Sequence, residues 1–180
     1  MLPGLCWLCA MIFTSESGLT DPSRIAEWDA WYLGHLAAMV AVPGVSSAQR
    51  FRALDDGPPP SLAMYTVASA AVFDSEIYLR TRGMGPFLPV VDRRLHRRNL
   101  FEGLDIAPVV PIGGILMLAD RTAADPAAPG IVWLRAVALD RSTPYRGVAV
   151  FPDLASARQA AARLGGAACY TPITERLPAL

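Results

Sequence analysis

The sequence predicts an α+β fold built from two related halves, each with antiparallel β-strands and helices packed on one side. Three observations lead to this prediction. Hydrophobic residues make up 53% of the 180-residue chain, enough to bury a sizeable core without metal or disulfide staples. Strand-like and helix-like segments follow in the order β-α-β-β-α over the first half. Similar landmarks then recur in the second half at a nearly constant spacing.

The first elements are a strand and an amphipathic helix. The apolar segment Met1 to Phe13 lacks the basic start of a signal peptide, so we interpret it as the first strand. Asp21-Pro22 is typical of a helix start, because Asp caps free N–H groups and Pro needs no hydrogen-bond partner there. Apolar side chains recur at three- and four-residue steps from Ile25 to Met39. This helix should therefore cover a sheet.

A hairpin and a short second helix should complete the first half. Pro43-Gly44 ends the first helix, and Val45 to Leu54 is expected to form a strand. After a turn, Ser61 to Val67 should return antiparallel to it. Asp74 or Ser75 can cap a helix that runs to Arg82.

The second half shows a similar order of elements. The Arg-rich stretch Asp92 to Glu102 is expected to be a solvated helix or a crossing segment. Asp153 should cap a helix that stops at Gly165-Gly166. The expected strands are Gly113 to Ala119, Ile131 to Leu139, Gly147 to Phe151 and Ala167 to Ile173.

The two halves can be aligned with each other, which indicates a duplication. Pro43-Gly44-Val45 corresponds to Pro129-Gly130-Ile131, an offset of 86 residues, and the strands that follow end in Ala-Leu-Asp at an offset of 85. The second copy has only Asp120 to Ala128 where the first has its long helix. We therefore expect a ferredoxin-like repeat at 1–87, a connecting segment at 88–111 and a reduced repeat at 112–180.

Three short motifs resemble those of the dimeric α-β barrel superfamily, including its EthD-like bacterial members. They are Trp31-Tyr32-Leu33-Gly34-His35-Leu36, Val42-Pro43-Gly44-Val45 and Ala48-Gln49-Arg50-Phe51-Arg52. The resemblance covers roughly residues 4 to 85. It implies that two four-stranded antiparallel sheets close a barrel, and it says little about function because the superfamily contains many unrelated activities.

His35 and Tyr32 are the candidate catalytic residues. They lie one turn apart on the apolar face of the first helix, where an imidazole could act as acid or base and a phenol could orient it. The alternative is that both are core residues with satisfied hydrogen bonds. His96 lies among arginines and is expected to be a surface histidine.

Trp28, Trp31, Arg50 and Arg52 are the candidate ligand-binding residues. The two indoles could form apolar walls, although tryptophans at helical spacing are more often part of a core. The two guanidiniums lie on one face of a strand and could hold a carboxylate or phenolate. The alternative is that they face solvent.

Composition excludes several classes of function. The 16 basic residues balance 16 acidic ones, and there is no basic tail or contiguous basic block, which argues against a nucleic-acid partner. All 16 are arginine, so Schiff-base chemistry is excluded. Two distant histidines and the scattered cysteines Cys6, Cys9 and Cys169 predict no metal site and no cofactor. No segment is long enough to span a membrane. The odd number of cysteines, three, argues against a framework of disulfides and suggests a cytoplasmic location.

These observations favour a cofactor-independent acid/base enzyme that acts on a small hydrophobic or aromatic carbonyl compound. Cyclisation, isomerisation, decarboxylation and oxygenation all remain open. The alternative is a non-catalytic small-molecule-binding or accessory protein. Because the reduced repeat would leave apolar sheet surface uncovered, we also expect a homodimer.

Overall fold

The computed structural model describes residues 10–179. Within that range the helices are α1 (Ile25–Val40), α2 (Glu76–Thr81) and α3 (Leu154–Arg163). The strands are β1 (Met11–Ser17), β2 (Val45–Ala53), β3 (Ser61–Val67), β4 (Arg97–Glu102), β5 (Ile115–Arg121), β6 (Val132–Leu139), β7 (Tyr145–Phe151), β8 (Ala168–Pro172) and β9 (Leu177–Pro178).

Eight of the strands close into an antiparallel barrel. The neighbours run in the order β3-β1-β4-β6-β7-β5-β8-β2, and β2 pairs again with β3 to complete the circle. The short strand β9 is a third partner of β2, beside its pairings with β3 and β8. Closure leaves the backbone groups of the eight strands paired on both sides, which removes exposed edges.

The first four strands and the next four share one internal order. In the first set the order is β4-β1-β3-β2, and in the second it is β8-β5-β7-β6. Helices α1 and α2 cover the outer face of the first set, and α3 packs on β5, β7 and β8. Residues 122–131 connect β5 to β6 without a helix, as the sequence predicts.

Side chains alternate between the inside of the barrel and the helix-covered face, as the period of a β-strand requires. On β1, Ile12 belongs to the barrel core, whereas Phe13 packs under the helices. The segment after β4 closes one end of the barrel, where Ala107 and Val110 are buried with Ile12. Gln49 Nε2 donates a hydrogen bond to the Val110 carbonyl at 2.7 Å, which fixes this segment.

Most predicted elements occur where the sequence indicates. Asp21 accepts a hydrogen bond from the Ser23 N–H at the start of a short 3₁₀ turn that leads into α1. Ser75 caps α2, and Asp153 caps α3. The bounds of β3 agree with the expectation, Ser61 to Val67.

Three expectations need correction or qualification. The stretch Asp92 to Glu102 is not a solvated helix or crossing segment, because Arg97–Glu102 is strand β4 in the barrel wall. The first described strand lies later than expected and runs past Phe13 to Ser17. Cys6, Cys9 and most of the predicted first strand fall outside the described residues.

Candidate functional site

A cavity of about 250 Å³ lies between the helices of the first half and the outer face of its sheet. Its walls come from β1, β3, α1, α2 and the chain that leads into β4. The lining residues are Phe13, Ser15, Tyr32, His35, Met39, Tyr65, Tyr78, Leu79, Arg82, Gly83, Met84, Leu88, His96 and Arg98. Apolar and hydrogen-bonding groups are both present, as is usual for small-molecule sites.

Both histidines of the chain reach this cavity. His35 comes from α1, and His96 precedes β4. Burial, followed by the positive charge of Arg50, lowers the pKa of His35 to about 4. Burial also lowers the pKa of His96, and Arg98 adds to this effect. Both imidazoles are therefore neutral at neutral pH and can accept a proton or a hydrogen bond.

The imidazole of His35 is held by aromatic neighbours on its own helix. It stacks on the Trp31 indole, with ring centroids 5.0 Å apart and an interplanar angle of 12°. The Tyr32 ring meets it edge to face at 5.3 Å. Trp31 does not itself line the cavity, so its role is to support His35 from behind.

The phenol groups of Tyr32 and Tyr65 and the hydroxyl of Ser15 line the cavity together with His35. Burial raises the pKa of Tyr32, while the Arg50 charge and the hydroxyls of Tyr65 and Ser15 oppose the rise. Burial raises the pKa of Tyr65 further, and the contact with Tyr32 adds to the increase. Both phenols stay protonated at neutral pH, and Tyr32 is the more readily ionised of the two. This group can donate hydrogen bonds to an oxygen of a bound molecule.

The guanidiniums of Arg82 and Arg98 also line the cavity, close to Tyr78. Burial raises the pKa of the Tyr78 hydroxyl, and Arg98 and then Arg82 lower it by their charge. Arg98 has only a long contact to a carboxylate, 4.0 Å from its Nη2 to Asp140 Oδ1. The two cations can therefore stabilise a negative charge on a ligand.

Arg50 and Arg52 lie behind the site and do not line it. Arg50 is 2% exposed and is sandwiched by the Tyr32 and Trp28 rings, with its guanidinium carbon 4.1 and 4.7 Å from their centroids. Asp29 forms an ion pair with Arg50 at 2.7 Å and another with Arg52. Arg50 thus belongs to the interior of the helix–sheet packing, whereas Arg52 is exposed and pairs with Asp29 from outside.

Trp28 is also part of the core. Its indole is 2% exposed and packs edge to face on Tyr32 at 5.7 Å. The structure therefore brings His35 and Tyr32 into the cavity and leaves Trp28, Trp31, Arg50 and Arg52 outside its lining.

The sequence analysis missed several lining residues, and patterns that could have found them were present. Alternation along β1 and β3 puts Ser15 and Tyr65 on the face that carries Phe13. The helix period of α2 could have suggested Tyr78 as its buried residue. His96 and Arg98 left no such signal, because their position depends on the pairing of β4 with β1.

Among residues 10–179, no group of three or more His, Cys, Asp and Glu side chains is arranged to hold a metal ion. In the same range, no helix is both long and apolar enough to cross a membrane.

Comparison with known proteins shows the fold. No family model matches the chain, and no curated protein matches it. A solved anthrone oxidase-like protein shares 10% identity at a TM-score of 0.60, over 94% of this chain and 93% of the other. A proposed chlorite dismutase shares 9% identity at a TM-score of 0.54, over 92% and 95%. A proposed monooxygenase from Lactobacillus acidophilus shares 7% identity at 0.53, over 94% and 99%.

These neighbours share the closed antiparallel barrel of dimeric α+β barrel proteins. The closed antiparallel α+β barrel that the resemblance implies is therefore confirmed. At this level of identity the likeness concerns the fold and not the activity.

Proposed function

We propose that this chain is a cofactor-independent enzyme that removes a proton from a small aromatic carbonyl compound, with His35 as the base, and lets the resulting enolate react with O₂. The observation that carries the proposal is a neutral imidazole that faces a cavity lined also by phenols and guanidiniums. This is the monooxygenase type among the reactions that the sequence left open.

His35 suits proton abstraction because it is neutral well below physiological pH. Its low pKa makes it a weak base while the cavity is empty. When a proton moves to the imidazole, the substrate becomes an anion beside it, and this pair of opposite charges favours the imidazolium. The pKa of His35 should therefore rise as the enolate forms.

The hydroxyls of Tyr32, Tyr65 and Ser15 would stabilise the enolate oxygen. Protonated phenols donate hydrogen bonds, and a buried donor acts more strongly on a developing charge than it does in water. Tyr32 lies one helical turn from His35, so the donor and the base can reach the same substrate.

Arg82 and Arg98 would take the role that the sequence analysis assigned to Arg50 and Arg52. They face the cavity beside Tyr78, where a phenolate or carboxylate of the substrate could lie. Trp28, Arg50 and Arg52 would act indirectly, by fixing Tyr32 and α1 on the sheet.

The overall reaction balances without a bound redox group. A methylene flanked by aromatic rings loses two hydrogens and gains one oxygen atom as a carbonyl, and the second oxygen atom of O₂ leaves as water. The name of the anthrone oxidase-like neighbour supports this choice, because an anthrone contains such a methylene.

Oxygen uptake with anthrone as the substrate tests the proposal. The wild-type chain should accelerate uptake above the buffer rate, and His35→Gln should lose about a hundredfold or more of that acceleration. Wild-type protein that leaves the buffer rate unchanged, or a His35→Gln variant that is as fast as wild type, would exclude this function.

The alternative is a binding or accessory protein that uses the same cavity without chemistry. It is favoured by the low pKa of His35, which is far from the value that suits a base at neutral pH. Tight binding of anthraquinone without any oxygen uptake would support this alternative.

We also infer that the two halves are ferredoxin-like repeats of one ancestral unit, with EthD-like proteins as relatives of the first. Their shared strand order and the missing helix at residues 122–131 support this. On this proposal the first repeat extends beyond residue 87 to include β4, and the second begins at residue 112. A homodimer in the cytoplasm remains our proposal for the assembled state, and light scattering tests the dimer.

A further inference from the structure

A second cavity, of about 270 Å³, opens at the end of the barrel opposite the segment that carries Val110. It lies on the inner face of the barrel wall, whereas the His35 cavity lies on the outer face. Neighbouring residues of two strands separate them: Glu16 and Arg97 line the inner cavity, and Ser15 and Arg98 line the outer one. The two cavities are therefore distinct sites.

Arg146 forms the floor of this barrel-mouth cavity. It is 1% exposed, and its Nη2 lies 2.5 Å from Glu16 Oε1 and 2.8 Å from Asp120 Oδ2. Its Nε donates to Asp120 Oδ1 at 2.7 Å, and the guanidinium lies over the Phe101 ring at 5.2 Å. The charge of Arg146 is thus satisfied inside the protein.

Glu16 has an unused oxygen in this cavity. Its side chain is 3% exposed, and its Oε2 has no hydrogen-bond partner among residues 10–179. A buried carboxylate oxygen without a donor is costly, and in native proteins such an atom usually has a partner. Glu16 lines the cavity, so a donor bound there could supply the missing partner.

Arg97 supplies a second unused group. It stands directly opposite Glu16 in the pairing of β1 with β4, yet Glu16 forms its ion pair with Arg146. Arg97 makes no ion pair within the described part of the chain. Arg121 is different, since Nη2 donates to the carbonyls of Leu164 and Gly166. The barrel-mouth cavity therefore offers a ligand the acceptor Glu16 Oε2 and the guanidinium of Arg97.

We propose that this cavity binds a small apolar α-amino acid as a zwitterion. Its ammonium would donate to Glu16 Oε2, and its carboxylate would accept from Arg97. The lining carries the carboxylates of Glu16 and Asp120 and the guanidiniums of Arg97, Arg121 and Arg146. A zwitterion adds no net charge to this set and gives Glu16 and Arg97 each a partner of opposite charge. Pro58, Pro59, Leu118 and Ala168 give the side chain an apolar wall.

Isothermal titration calorimetry with L-leucine tests the proposal. Two analogues each lack one of the groups: 4-methylpentanoate has no ammonium, and 3-methylbutylamine has no carboxylate. We expect L-leucine to bind and each analogue to bind about tenfold more weakly or worse, because each analogue leaves either Glu16 or Arg97 without its partner. Equal binding of the three, or no binding of L-leucine, would overturn the proposal and leave a water as the partner of Glu16.

Two variants, Arg97→Gln and Glu16→Gln, test whether these residues bind L-leucine. Arg97→Gln removes a rim charge that Arg146 does not need, so the melting temperature should hold while L-leucine binds about tenfold more weakly. Glu16→Gln should weaken binding as well but can also destabilise the fold through Arg146. Glu102→Gln, at the far end of β4, is the matched control and should bind as wild type does. Undiminished binding by Arg97→Gln would contradict the assignment.

Discussion

Trp31 and His35 stack face to face on consecutive turns of α1, with their ring centroids 5.0 Å apart. The indole covers one face of the imidazole and leaves its edge to the cavity. Gly85 lies so close to the indole that a Cβ there would stand 2.8 Å from it, so the indole is itself held in place. This arrangement fixes the orientation of the His35 imidazole and limits its contact with water.

Removing the indole should therefore expose His35 to water. We expect Trp31→Ala to raise the pKa of His35 from about 4 toward its ordinary value of 6.5, because burial is the main cause of the shift. NMR titration of the imidazole protons measures this. Trp31→Phe keeps an aromatic ring against the imidazole and is the control. A His35 pKa that stays near 4 in Trp31→Ala would show that the indole is not what buries it.

Acid should destabilise the fold through His35. The folded protein binds this proton near pH 4, whereas the unfolded chain binds it near pH 6.5, so the unfolded state gains protons first as the pH falls. The contribution is fully present above pH 6.5 and is lost as the pH falls toward 4. Urea unfolding at pH 7 and pH 4.5 should show a larger loss of stability for wild type than for His35→Gln. Equal losses in the two proteins would contradict the lowered pKa.

Asp29 should matter for stability although it lies on a partly exposed helix face. It pairs with the buried Arg50, and Asp29→Asn leaves that guanidinium with a weaker partner. Breaking such a pair should cost about 2 kcal/mol or more of unfolding free energy. Glu27→Gln, two residues earlier, breaks an exposed pair with Arg24 and should cost far less, because solvent screens that pair. Chemical denaturation measures both, and similar costs would mean that Arg50 does not depend on Asp29.

Arg98 should decide how tightly the outer cavity holds an acidic ligand. We expect Arg98→Gln to weaken binding of anthraquinone-2-carboxylate about tenfold, through loss of a charge-assisted hydrogen bond. Arg80→Gln, on the exposed side of α2 and paired with Glu76, is the matched control. Fluorescence or calorimetric titration compares the two variants. Equal affinities would remove Arg98 from the ligand-binding residues.

Local patterns predicted the parts of the site that lie on one element. The helix period alone identified the inward face of α1, and this face carries Tyr32 and His35. It could not show that Arg50 pairs with Asp29 behind Tyr32, since that contact depends on how α1 lies across β2. His96 is the clearest omission, because its neighbours in sequence are charged and suggested a surface position.

Strand β4 was misread for a physical reason. A barrel strand normally shows an apolar face, but Arg97 and Arg98 point to opposite sides of this wall, and each lines a cavity that contains other polar groups. In the sequence, two adjacent arginines are typical of a solvent-exposed segment, which is why this stretch does not suggest a barrel strand. Only Leu100 and Phe101, farther along β4, show the alternation between the two cores.

The most direct test of the proposed function is anaerobic hydrogen–deuterium exchange at the methylene of anthrone, followed by NMR. Proton removal can be seen there without the oxygen step, so the measurement isolates the role of His35. We expect wild-type protein in D₂O to accelerate exchange and His35→Gln to lose about a hundredfold or more of that acceleration with its fold intact. Exchange that is equally fast with His35→Gln, or no faster with wild type than in buffer, would contradict His35 as the base.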